Sequence, residues 1–143
     1  MTIEADGPAP AGRFEELTEA ECQMLLGSRT VGRLGFMTAD GPQIIPVNYV
    51  VQGSHIIFRT ASYTRLGRDV PDTRVAFEID DIDESVRNAW SVLAVGAAER
   101  IDDEDEALDF WDRKLLHPWA VGTRTLLIRI RVSGISGRRV AAP

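Results

Sequence analysis

The chain has 143 residues and a mass of 15.8 kDa, room for one hydrophobic core but not two. Its net charge of −6 argues against a general affinity for nucleic acid or anionic lipid. No apolar run approaches the roughly 20 residues a membrane-spanning helix needs. Residues Met1 to Gly12 have neither a basic start nor an apolar stretch, so they do not read as a secretory signal. Their Ala, Pro and Gly content predicts a disordered lead-in, followed by a single domain over residues 13–143. The expected compartment is the cytoplasm.

The first predicted element is a helix from about Thr18 to Ser28. Thr18 and Glu21 have the spacing of a capping box, and Leu17 with Cys22 can form the hydrophobic staple around it. Cys22, Leu25 and Leu26 share the face that would meet the core. Cys22 is the only cysteine, which excludes an intramolecular disulfide and a cysteine-based zinc site. His55 and His117 match no metal-ligand spacing, so no metal is expected.

Strand-like segments follow. The segment Thr30–Thr38 ends at Ala39-Asp40-Gly41-Pro42, a run of turn residues. The next, Gln43–Gln52, is largely apolar on both alternating faces. Ile45, Val47, Tyr49 and Val51 make one face; Ile44, Pro46, Asn48 and Val50 make the other. A strand of this kind must be covered on both sides, by the core on one and by a partner subunit or a ligand on the other. Gly53-Ser54 is a hairpin signal leading into His55–Thr60, with His55 expected to be exposed. Arg74–Asp80 and Trp90–Arg100 read as strands joined by a polar loop, Asp81–Asn88.

Asp103–Leu116 reads as a second helix, with acids in its first turn and Arg113-Lys114 in its last. Leu108, Trp111 and Leu115 form its apolar face, and His117-Pro118 stops it. A last strand runs from Arg124 to Val132, continuing to Val140 after a bend at Gly134. Helix, several short strands, helix, strand, without βαβ alternation, favours an antiparallel barrel with two accessory helices.

One stretch stands out chemically: Phe58-Arg59-Thr60-Ala61-Ser62-Tyr63-Thr64-Arg65-Leu66-Gly67-Arg68. A phosphate needs cationic forks and hydrogen-bond donors converging from one side. A strand end with Arg59 and Thr60, then a turn with Thr64 and Arg65, can provide them. The same residues also suit a solvated turn. Fifteen of the sixteen basic residues are arginine, a bias that coding composition alone can produce.

Phe58-Arg59-Thr60 followed by Thr64-Arg65-Leu66 resembles the phosphate-binding strand and turn of the pyridoxamine 5'-phosphate oxidase-like, FMN-binding split β-barrel superfamily, especially its small actinobacterial members. Val31-Gly32-Arg33-Leu34, Ile45-Pro46-Val47-Asn48-Tyr49 and Ala89-Trp90-Ser91-Val92-Leu93 fall where such proteins carry similar residues, so the likeness runs from Leu17 to Val140. It implies that Arg59, Thr60, Thr64 and Arg65 hold the FMN phosphate. Pro46, Val47 and Asn48 would line the isoalloxazine ring, largely through backbone groups. Trp90 would approach the same pocket, from across the interface of a homodimer.

Two positions depart from the pattern: Tyr63 stands where relatives usually have Gly, and Arg65 where Lys is commoner. The chain also does not clearly show the basic C-terminal extension of the pyridoxamine oxidases proper, so vitamin B6 oxidation is not expected. The activity implied is a flavin-dependent oxidoreductase passing electrons or hydride to a small acceptor. The alternatives are a deazaflavin-dependent reductase and a non-catalytic flavin- or haem-binding module. No catalytic residue is singled out, because the cofactor carries the electron chemistry.

Overall fold

A single long strand organises the molecule. In the computed structural model, which describes residues 12–61, 64–103, 105–106 and 125–142, strand β7 spans Thr125–Ala141. Before it come β1 (Arg13–Glu16), α1 (Glu19–Leu26), β2 (Val31–Thr38), β3 (Gly41–Gln52), β4 (His55–Ala61), α2 (Arg65–Asp69), β5 (Arg74–Asp83) and β6 (Asn88–Arg100). The first half of β7 pairs β4 on one edge, from Ala61↔Thr125 to His55↔Arg131. Its other edge pairs β6 from Arg100↔Ile128 to Ala89↔Val140. With β4–β3, β3–β2, β2–β5 and β5–β6 also antiparallel, the sheet closes into a six-stranded barrel, and β1 adds to the far end of β7. This is the antiparallel split β-barrel expected from the sequence.

Strand alternation fills the barrel. Leu34, Phe36, Val47, Tyr49, Ile56, Phe58, Phe77, Ile79, Val92, Ile128 and Ile130 all point inward and are buried. The bend expected at Gly134 is a β-bulge: Gly96 opposes Val132 while Val95 opposes Gly134, which leaves Ser133 as the extra residue. The bulge switches the inward positions of β7 from even to odd numbers, so Ile128 and Ile130 before it and Ile135 after it all meet the core.

α1 begins with the predicted capping box, in which the Thr18 hydroxyl accepts from the Glu21 N–H and Glu21 reaches back to the Thr18 N–H. Cys22 and Leu26 are its buried residues, and burial pushes the Cys22 thiol up in pKa. The helix seats on Gly137, where an added Cβ would lie 2.8 Å from Cys22 Sγ and 3.0 Å from Leu17 Cδ1. Its C-terminal end is tied to the barrel by the buried Tyr49 hydroxyl, which donates to the Leu26 carbonyl at 2.5 Å. α2 covers part of the barrel through Leu66 and Val70.

Two expectations are corrected, and one element was not foreseen. The segment Asp81–Asn88 is not all loop, because the β5–β6 ladder continues to Asp83↔Asn88 and leaves a turn of only 84–87. Arg13–Glu16, for which the sequence predicts no element, form a strand. His55 is half-buried rather than exposed; desolvation, then Arg129 and Arg131, lower its pKa below the ordinary histidine value. The predicted helix Asp103–Leu116, with Trp111, and also His117 and Trp119, lie outside the described residues except at its start, where Asp105 and Glu106 are helical.

Candidate functional site

β3 has the two faces read from its sequence. Ile45, Val47, Tyr49 and Val51 belong to the core, whereas Ile44, Pro46 and Asn48 are exposed on the outer wall. Pro46 lies opposite Arg33 of β2, and Asn48 opposite Val31. Val47 is only 7% exposed, so a ligand on this wall would meet its backbone and not its side chain.

Strand period separates Arg59 from Thr60. Ile57 and Leu127 face outward into a small second apolar cluster with Ile101, and Arg59, paired with Leu127, shares that outward phase. Arg59 is half-buried, and desolvation lowers its pKa with no carboxylate among the described residues to offset it. A half-buried guanidinium without an acid partner is an unusual expense in a fold unless an anion completes it.

Thr60 points the other way, toward Thr64, with the two hydroxyl oxygens 2.7 Å apart. Thr64 donates to the Ala61 carbonyl at 2.6 Å and accepts from the Gly67 N–H at 3.2 Å, as the N-cap of α2. Thr60 must therefore donate to Thr64, and both hydroxyl protons are used within the turn. An anion here would draw its donors from guanidinium groups, while the threonines fix the shape of the turn. The neighbouring Arg65 is held by Asp40 of the β2–β3 turn, Nη2 to Oδ2 at 2.9 Å. Ser62 and Tyr63 lie outside the described residues.

Trp90 stands apart from this group. β4 and β6 flank opposite edges of β7, but Arg59 pairs with Leu127 and Trp90 with Arg139, 12 residues further along that strand, roughly 40 Å of extended chain. Arg29 stacks on the indole, its guanidinium carbon 5.2 Å from the ring centroid, and is itself paired with Asp81 at 2.6 Å. Trp90 borders two hollows of about 340 and 200 Å³.

The sequence did not point to the outer groove beside it. Glu78, Ser91, Leu93, Ser136, Arg138 and Phe14 line a hollow of about 490 Å³ on the outer faces of β5, β6, β7 and β1. At its margin Arg33 bridges Glu78 at 3.1 Å and Asp80 at 3.2 Å. The available signal was the spacing of Glu78 and Asp80, two apart on a strand and so on one face. Seven large apolar side chains are exposed on the same outer surface: Phe14, Val31, Met37, Ile44, Ile82, Leu93 and Val140. Among the described residues no group of three or more His, Cys, Asp or Glu is placed to hold a metal. No described helix is long and apolar enough to cross a membrane.

A family model described as pyridoxamine 5'-phosphate oxidase matches residues 18–139. The chain belongs to that family. An uncharacterized protein of Mycobacterium tuberculosis is 31% identical over 140 residues, covering 94% of this chain and 91% of its own length. A structure described as the FAD binding protein from Mycobacterium smegmatis superposes with a TM-score of 0.74 at 33% identity, covering 89% of this chain and 98% of that one. A conserved protein of unknown function from Corynebacterium diphtheriae gives 0.74 at 32% identity, covering 90% and 98%.

Proposed function

We propose that this family member is a cytoplasmic homodimer that binds FMN at the subunit interface and passes electrons or hydride to a small acceptor. The observation that carries the reading is Arg59, a half-buried cation without an acid partner among the described residues, on the outward face of β4 next to the strand that exposes Pro46 and Asn48. Arg59 and Arg65 would hold the anionic tail, with Thr60 and Thr64 shaping the turn between them. Pro46, Asn48 and the Val47 backbone would meet the ring. Bound there, the flavin would supply the redox chemistry, and the protein would position it and limit access.

The exposed apolar wall supports the homodimer. Seven large side chains on one outer surface are more than a monomer ordinarily leaves wet, and pairing two such walls would cover them. Trp90 pairs with β7 12 residues beyond the position that pairs with Arg59, so within a protomer the two lie far apart along the strand, and a contribution of Trp90 to the site would come through the partner.

FAD is the second reading, favoured by the FAD binding protein of Mycobacterium smegmatis at 33% identity. The mass and absorption spectrum of the small molecule that co-purifies separates FMN, FAD and a deazaflavin. Protein that carries none of them, and takes up none when they are supplied, refutes the proposal. Steady-state oxidation of a reduced nicotinamide or deazaflavin donor separates an enzyme from a carrier.

A further inference from the structure

We propose that Asp40 is a charge gate on the anion cradle, neutralising Arg65 when no ligand is bound and competing with the ligand's phosphate for it. This rests on the reading of Arg65 as an anion ligand. The two residues are 25 positions apart in sequence and meet only because the β2–β3 hairpin reaches the start of α2.

The turn holds Asp40 in place. Thr38 pairs directly with Gly41, so Ala39-Asp40 is a two-residue loop, and Gly41 adopts a φ of +114° that suits glycine. The Thr38 hydroxyl accepts from the Asp40 N–H at 3.2 Å and donates to the Gly41 carbonyl at 2.9 Å. The carboxylate is therefore presented by a braced turn, on a side chain that is 71% exposed, to a guanidinium side chain that is 44% exposed.

An exposed pair of this kind shifts an equilibrium at most about fivefold, so it yields readily to a ligand with more charge. A phosphomonoester can take a guanidinium by two parallel bonds, which a carboxylate already on the same fork obstructs. The carboxylate also repels the bound phosphate across one guanidinium. Both effects act against the anion and neither acts on a neutral flavin.

The test is fluorescence titration of the full chain with FMN and with riboflavin, which lacks the phosphate, at low and high salt. Asp40→Asn keeps the shape of the turn and removes the charge. It should bind FMN about three- to tenfold more tightly at low salt, with the gain shrinking at high salt and riboflavin affinity unchanged. Arg65→Ala should weaken FMN, and adding Asp40→Asn to it should bring a smaller gain than in the wild type, because only the direct repulsion is left to relieve. If Arg65→Ala weakens FMN while Asp40→Asn leaves it equal or weaker, the gate is wrong and the cradle stands. If Arg65→Ala binds FMN like the wild type, Arg65 is not a ligand and the gate falls with it.

Discussion

Placing an aspartate at Ile44 tests the outer wall as an interface. Ile44 is 73% exposed, on the outward face of β3 opposite Gly35. Burying a whole isoleucine side chain contributes about 1.5–3 kcal/mol, so covering the exposed part contributes about 1–2 kcal/mol. A two-fold interface contains the position twice, making about 2–4 kcal/mol per dimer, and the desolvation of the new carboxylate adds to the loss. Ile44→Asp should therefore raise the dimer dissociation constant at least about thirtyfold. Sedimentation velocity over a concentration series reads this directly. Met24→Asp is the control, because Met24 is 71% exposed but sits on α1, away from the wall. A wild-type chain that stays monomeric at high concentration, or an Ile44→Asp chain that dimerises like the wild type, refutes the reasoning.

Two further predictions concern the fold itself. Tyr49→Phe leaves the Leu26 carbonyl without the buried hydroxyl that now serves it, and should cost about 1–3 kcal/mol in denaturant unfolding; unchanged stability would show that water takes over the bond. Burial first, then hydrogen bonding and repulsion from Asp80, hold the Glu78 carboxyl above the ordinary glutamate value despite Arg33. Its protonated form is favoured in the fold, so its contribution is present below the ordinary glutamate pKa and lost as pH rises through the raised one. Glu78→Gln should match the wild type near about pH 4 and exceed it near about pH 7, by under about 1 kcal/mol because the side chain is 35% exposed. Thermal unfolding across that window checks it, and a variant less stable than the wild type at neutral pH contradicts it.

Local signals were legible wherever one residue's chemistry decides the backbone. Thr18 and Glu21 placed the start of α1, and the two faces of β3 appeared as read, one in the core and the other bare at Ile44, Pro46 and Asn48 while Val50 packs on the small outer cluster. Gly134 marked the β7 bulge. β1 was missed because Arg-Phe-Glu-Glu has no alternating pattern and its four residues are all exposed; it is a strand only because β7 offers an edge. The acidic run after Asp80 read as loop because its residues are polar, yet the β5–β6 ladder extends through it to Asp83.

The candidate site was half legible. Its residues are neighbours in sequence, but a strand's period of two sends Arg59 outward and Thr60 toward the turn. The Asp40 partner of Arg65 and the Arg33–Glu78–Asp80 cluster depend on contacts 25 to 47 residues apart, which no local pattern encodes.

Whether Arg59 and Arg65 hold an anionic tail is read from the affinity of the Arg59→Ala/Arg65→Ala double variant for FMN beside its affinity for riboflavin. Charge-assisted bonds contribute about 1.5–3 kcal/mol each, so the double variant should lose FMN by at least about a hundredfold while riboflavin binding and the folded state persist. FMN bound as tightly by the double variant as by the wild type would show that these two arginines do not hold the phosphate.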